Sequence, residues 1–368
     1  MIDREFVSLV SPTATQNPVG YHPCQGIYHA PAGRRPNVAF IATHYNVDFS
    51  EHYLAELLAH RGYGFLGWNT RYRGAEAFFI LEHALIDIAV GIRWLREVAG
   101  VETVVILGNS GGGSLMAAYQ SQATEPNIAP TFGMRLPAEV EQLPAADLYI
   151  SLNAHGGRPE VLTDWSDPSV TDETDPLSVD PSLDMYDPSN GPPYSPEFIA
   201  RYRDAQVERN HRITRWAKDE VARLAAAGVY ERLFTLQRVW ADLRYLDGSI
   251  DPSDRPLGVC YAGDPKWANA NAWGIGSSNT LRTWLSMWSL EDSQCRGTPH
   301  LERISVPALV IQSTADTGVF PSDAQSIHEH LAATDKALHL IPGDHYLENP
   351  PGARRDVAEL IAAWVDSR

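Results

Sequence analysis

Glu102-Thr-Val-Val-Ile-Leu-Gly108-Asn109-Ser110-Gly111-Gly112-Gly-Ser114-Leu-Met-Ala-Ala-Tyr-Gln-Ser-Gln122 is the stretch whose reading decides the fold. Its first six residues form a β-branched, apolar run, the signature of a buried parallel strand. Residues 114–122 read as a helix. Between them, a Gly-x-Ser-x-Gly string places Ser110 on a sharp strand-to-helix turn. Such a turn pushes the serine hydroxyl out of the sheet and leaves no room for side chains two positions before and after it. The string alone is a weak signal. The strand before it and the helix after it give it weight.

Outward from this turn the chain alternates strand and helix. Residues 5–10 and 25–29 read as two short strands joined by a Pro/Asn/Gly turn region, and 37–43 as a stronger, continuous strand. Ser50 is placed to N-cap a helix over 51–60, closed by Gly62. A strand over 63–68, a helix over 79–96 with Leu85, Ile88, Ile92 and Leu95 on one face, and a strand over 148–152 follow. The alternation resumes late, with strands at 307–312 and 336–341 and helices at 322–331 and 354–364. Strands alternating with helices imply a mostly parallel sheet covered on both faces.

The pattern breaks in between. Residues 151–199 carry ten Asp/Glu against one Lys/Arg, with Asp-Pro at Asp167, Asp175, Asp180 and Asp187. Asp-Pro favours turns, so this acidic segment reads as solvated loop, and its spacing is not that of a calcium-binding hand. Ser195-Pro196-Glu197 then opens a long helix running to about Ala227, with Gly228 as terminator. Further helical segments are expected through about Leu290. Three units are therefore expected: a first core part over 1–154, a largely helical insertion over 155–299, and a second core part over 300–368.

Composition narrows the function classes. A net charge of −17 disfavours nucleic acid and anionic membrane surfaces as partners. Cys24, Cys260 and Cys295 are odd in number and widely spaced, which suits neither a disulfide framework nor a metal site and fits a reducing compartment. The N-terminus has no apolar signal region and no run is long enough to span a bilayer, so a cytoplasmic protein without membrane association is expected.

A serine hydroxyl needs a base within hydrogen-bond reach and a third group to orient that base. The two late strands end in Ser313-Thr-Ala-Asp316 and Pro342-Gly-Asp344-His345. Asp316 and His345 thus fall just past strand C-termini, the edge at which open parallel sheets bind ligands, and the edge that carries Ser110. Asp344 adjoins His345, but neighbouring side chains rarely let a carboxylate reach an imidazole that faces elsewhere, so Asp316 is the favoured partner. His155 ends the strand over 148–152 and is a candidate pocket residue, with structural use as the alternative.

The order Ser110, Asp316, His345 on this framework resembles the α/β-hydrolase fold family over about residues 25–155 and 300–368. The resemblance implies an α/β fold with a mostly parallel central sheet, helices on both faces and a cap inserted after the sixth strand. It implies Ser110 as nucleophile, His345 as base and Asp316 as its orienting acid. The oxyanion donors would be the Gly111 N–H and a group from the loop Thr43-His44-Tyr45-Asn46. Many relatives have His-Gly before the donor, which nominates the Asn46 N–H. Here Tyr45 replaces that glycine, and cocaine-esterase-like relatives use a tyrosine phenol as the donor, so Tyr45 is a second nominee. Packing against the serine turn is the alternative role for Tyr45. His44 is a further candidate contact.

The resulting expectation is a cap-bearing serine carboxylesterase with no metal or organic cofactor, acting on a small-molecule ester. An amidase or peptidase, a carbon–carbon hydrolase and an acyltransferase share the triad, and a ligand-binding protein on this fold is the non-catalytic alternative. A serine rather than an aspartate at position 110 disfavours dehalogenase and epoxide-hydrolase chemistry. Seven of the ten tryptophans lie between Trp165 and Trp288, so the insertion is expected to select a bulky, apolar or aromatic group, with Trp216, Trp240, Trp273, Trp284 and Trp288 as candidates. The acidic Asp-Pro segment is expected to rim the site and disfavour anionic substrates. Oligomeric state is left open.

Overall fold

The computed structural model describes residues 1–14 and 23–368. The turn region expected between the first two strands falls largely outside the described residues. Eight strands form one sheet: β1 (Ile2–Leu9), β2 (Cys24–Pro31), β3 (Val38–Ala42), β4 (Gly64–Asn69), β5 (Thr103–Asn109), β6 (Leu148–Leu152), β7 (Ala308–Ser313) and β8 (Lys336–Ile341). Their order is β1-β2-β4-β3-β5-β6-β7-β8. β2 runs antiparallel to both of its neighbours, and every pairing from β4 to β8 is parallel.

The central strands are buried on both faces, which is why their sequences are continuous apolar runs. Alternate residues still face opposite ways. Ile41, Leu66, Val104 and Ile106 pack under α2 (Leu81–Glu97) and α3 (Gly112–Thr124). Phe40, Phe65, Val105 and Leu107 pack under α1 (Ala55–Ala59) and the C-terminal helix Ala353–Asp366. A buried ion pair locks the first face: Asp87 receives Arg71 Nε at 2.8 Å and Nη2 at 2.6 Å, and Arg71 also reaches Ser11 and Thr13.

Ser50 does not cap α1. Its hydroxyl accepts from Asn69 Nδ2 at 2.8 Å, so the intervening residues turn and the helix starts only at Ala55. Gly62, at φ +103°, still follows its end.

Between β6 and β7 the chain leaves the sheet. This segment holds α4 (Arg158–Trp165) and the 31-residue α5 (Pro196–Ala226), capped by Ser195 Oγ accepting from the Phe198 N–H as its sequence implies. Beyond α5 the expected helices are mostly absent. A two-stranded ribbon pairs Leu233–Thr235 with Ser278–Thr280, short helical turns span Pro265–Asn269 and Leu281–Thr283, and a π-helical turn spans Trp284–Trp288. Pro252, Pro256 and Pro265 remove backbone donors there, and Gly258 and Gly263 take positive φ, so long helices cannot propagate. Cys24, Cys260 and Cys295 are buried and unpaired. No helix among the described residues is long and apolar enough to cross a membrane.

Candidate active site

The turn after β5 holds Ser110 at φ +55°, a left-handed conformation that is strained for a residue with a side chain. It is over-determined by its surroundings. The Ser110 N–H donates to Leu152 O at 3.1 Å, and Ser110 O accepts from the Gly113 N–H at 3.0 Å. A Cβ on Gly112 would collide with Thr43 O, and one on Gly108 would lie 2.7 Å from Gly113 Cα, so both flanking positions require glycine. Asn109 braces the turn, donating to Leu152 O at 2.9 Å and lying 3.1 Å from His52 Nε2.

Ser110 Oγ stands 3.0 Å from His345 Nε2, and His345 Nδ1 stands 2.6 Å from Asp316 Oδ2. The three residues come from the ends of β5, β7 and β8. Asp316 is buried, and its Oδ1 also accepts from the Gly318 and Val319 N–H groups at 3.0 and 3.1 Å. Asp344 is turned elsewhere: it caps its own loop, accepting from the Glu348 and Asn349 N–H groups.

Two residues without a sequence signal join this line. Tyr261, from the segment between β6 and β7, donates its hydroxyl to Asp316 Oδ1 at 2.6 Å and lies 2.8 Å from His345 Nδ1. Asn153, at the end of β6, donates Nδ2 to His345 O and to Ser313 Oγ, both at 3.0 Å, and its Oδ1 accepts from the Ser313 N–H at 2.7 Å. Asn153 thereby ties the loops carrying Asp316 and His345 to a third strand.

A cavity of about 230 Å³ opens beside Ser110. Ser110, Gly111, His345, His44, Asn46 and His155 all line it, together with Trp165, Trp240, Trp273 and Tyr261. Trp165, Trp240 and Trp273 stack in series, with ring centroids 5.0 and 5.6 Å apart. Trp216 lies elsewhere. It is 38% exposed and packs edge-on against Phe234, because its position on α5 faces solvent and the ribbon. Trp284 and Trp288 are buried but do not line the cavity. Tyr45 is fully buried beneath the serine turn, with its hydroxyl 3.0 Å from Ser114 Oγ, and it too is not a lining residue. None of the ten acidic residues of the Asp-Pro stretch lines the cavity, so the expected acidic rim is not at this opening.

Two further histidines of the wall, His44 and His155, are held neutral. The Asn46 and Val47 N–H groups both point at His44 Nδ1, each at 3.3 Å. Asn46 Oδ1 lies 3.1 Å from the same nitrogen. Backbone donors cannot be turned, so with Nδ1 accepting from them the proton is assigned to Nε2. Nε2 then faces Gly111: a Cβ built on Gly111 would lie 2.6 Å from it. Burial, then the Arg158 charge, holds His44 well below the usual histidine range and pushes His155 down to about 3. Among the described residues no group of three or more His, Cys, Asp or Glu is arranged to hold a metal ion.

No protein-family model matches the sequence, and no curated protein matches it. Solved structures do. The chain is similar to DcsB in complex with its substrate analogue (TM-score 0.53, 11% identity, 99% of this chain and 99% of that chain). It is also similar to the alpha/beta hydrolase GrgF from Penicillium sp. sh18 (TM-score 0.52, 12% identity, 99% of this chain and 97% of that chain). At these identities the likeness concerns architecture: the chain has the α/β-hydrolase fold.

Proposed function

We propose that this protein is a serine hydrolase that cleaves a small-molecule carboxylic ester through an acyl-enzyme on Ser110. The observation that carries the reading is the unbroken line Ser110 Oγ–His345 Nε2–His345 Nδ1–Asp316 Oδ2, with steps of 3.0 and 2.6 Å, opening on an aromatic cavity. His345 Nε2 takes the Ser110 proton as Oγ attacks the acyl carbon, and Asp316 holds the imidazolium in place. The Gly111 N–H, at the positive end of α3, meets the developing oxyanion. The His44 Nε2–H is the second donor, in place of the Asn46 N–H, which is spent on His44, and of the Tyr45 phenol, which is spent on Ser114. His345 then protonates the leaving alcohol, and water, activated by the same nitrogen, releases the acid.

The segment between β6 and β7, residues 155–299, acts in this reading as a cap over Ser110. Its Trp165, Trp240 and Trp273 form a wall suited to a flat apolar or aromatic group. The cavity volume is below the roughly 300 Å³ at which drug-sized pockets begin, so a single ring fits better than a long lipid chain.

The experiment is a fluorophosphonate reaction followed by peptide mass spectrometry, run beside panels of aryl and alkyl esters, amides and thioesters. An adduct on Ser110 with turnover of esters is expected. An adduct elsewhere overturns the nucleophile, and turnover confined to amides or thioesters overturns the bond.

A further inference from the structure

Arg158 is the fixed cation of the cavity, and its surroundings do not satisfy it. The residue is 2% exposed. Its guanidinium is clamped between two rings, 4.4 Å from the Tyr45 centroid and 5.3 Å from that of Trp288. Its Nε and Nη2 are buried and have no hydrogen-bond partner among the described residues. The nearest carboxylate oxygen, Glu76 Oε1, forms only a long ion pair at 3.9 Å from Nη2, beyond hydrogen-bond reach, and is itself without a hydrogen-bond partner among the described residues. The other Glu76 oxygen is committed to the Gly276 N–H at 3.1 Å. The other titratable groups that feel the guanidinium charge are His44, His155, Tyr45 and Cys295, and burial keeps all four uncharged. None of them can neutralise it.

A guanidinium is charged in every state of a catalytic cycle, so a buried one calls for a partner that is charged before any bond is broken. The two unpartnered nitrogens are adjacent on one edge of the guanidinium, the fork that matches a carboxylate bidentately. That edge stands close to the reacting serine, since a Cβ on Gly111 would lie 2.8 Å from Arg158 Nη2. We propose that the cavity holds a carboxylate subsite built on Arg158, and that the substrate is an ester carrying a free carboxylate a short chain or one ring away from the scissile carbonyl. This rests on the serine-hydrolase reading above and names its substrate class. Glu76 is the counter-group that the carboxylate displaces. Burial already raises its carboxyl above the usual range, so it takes up a proton readily when a second carboxylate arrives.

The proposal is tested by comparing aryl half-esters of malonic through adipic acid with their methyl-capped diesters. At least one half-ester is expected to exceed its capped counterpart tenfold or more in kcat/KM. Arg158→Gln should collapse that ratio at least tenfold, and Glu76→Gln, which keeps an acceptor for Gly276 but removes the competing charge, should raise it. In parallel, succinate and glutarate should quench the cavity tryptophans of Ser110→Ala protein, and the effect should vanish when Arg158→Gln is added. If fluorophosphonate labels Ser110 but the capped esters are faster throughout and neither dicarboxylate binds, the subsite is overturned while the hydrolase reading stands. If the dicarboxylates bind through Arg158 but Ser110 is never labelled, the subsite stands and the hydrolase reading fails. Binding of inorganic phosphate without either dicarboxylate overturns the carboxylate assignment.

Discussion

Tyr261 sets its hydroxyl 2.6 Å from Asp316 Oδ1 while its ring lies 4.5 Å, centroid to centroid, from the imidazole of His345. A residue from the segment between β6 and β7 is thus part of the hydrogen-bond network of two residues from the sheet. Tyr261→Phe keeps the ring contact and removes only the O–H. A fall in kcat of about tenfold with KM little changed is expected, the usual scale for one charge-assisted hydrogen bond. An unchanged kcat in steady-state kinetics would assign Tyr261 to packing alone.

Asp316 and Asp344 separate cleanly by mutation. Ser110→Ala is expected to lose turnover by about a millionfold, and Asp316→Asn by about ten-thousandfold, each with an unchanged circular dichroism spectrum. Asp344→Asn should stay within a few-fold of the parent, because its carboxylate serves only the loop through Glu348 and Asn349. Greater damage from Asp344→Asn than from Asp316→Asn would reverse the assignment.

Acid should destabilise the protein through its buried histidines. Burial pushes His52 down to about 4 and His155 to about 3, and holds His44 well below the usual value. Below pH 6.5 the unfolded chain binds protons at these sites that the folded chain refuses. Stability is therefore complete above pH 6.5 and declines as pH falls toward 4, by about 1.4 kcal/mol per pH unit for each such histidine. His52→Gln, which preserves a donor to Asn109, should make the decline shallower by about one proton in urea unfolding measured from pH 7 to 5.

Asp87→Asn tests the framework rather than the site. Asp87 is fully buried and takes both ends of the Arg71 fork. Its neutralisation leaves that guanidinium without a counter-charge and should cost about 3–5 kcal/mol in chemical denaturation. A cost below about 1 kcal/mol would mean that Ser11 and Thr13 suffice to hold Arg71.

What the sequence disclosed follows from how local each feature is. The turn at Ser110 is legible because its crowding acts within five residues, and Gly108 against Gly113 shows the crowding directly. Asp316 and His345 are legible because each follows a recognisable strand in the order that the resemblance supplies. Tyr261, Asn153 and Glu76 carry no such mark, since each acts across the fold: Tyr261 on Asp316, Asn153 on the backbone of His345, Glu76 beside Arg158. Trp216 shows the limit of composition. Counting tryptophans in a segment does not say which way each one faces, and on α5 it faces outward. Ser50 failed as a cap because a distant residue, Asn69, claimed its hydroxyl, whereas Ser195 had no such rival and capped α5.

The three thiols give the molecule a record of its own breathing. Cys24 lies in β2 within the eight-stranded sheet, Cys260 adjoins Tyr261 in the proline- and glycine-punctuated stretch, and Cys295 sits beneath the π-helical turn with Sγ 3.3 Å from Ser286 O. Burial keeps them protonated, pushing Cys260 up to about 11 and Cys295 to about 12, so alkylating reagents find no thiolate until the chain opens locally. Timed iodoacetamide labelling read by mass spectrometry thus becomes a three-point clock. Cys260 is expected to tick ahead of Cys24, because irregular backbone opens at lower free energy than a paired strand, and the ratio of the two rates reports how much more easily the stretch beside the aromatic wall opens than the sheet does.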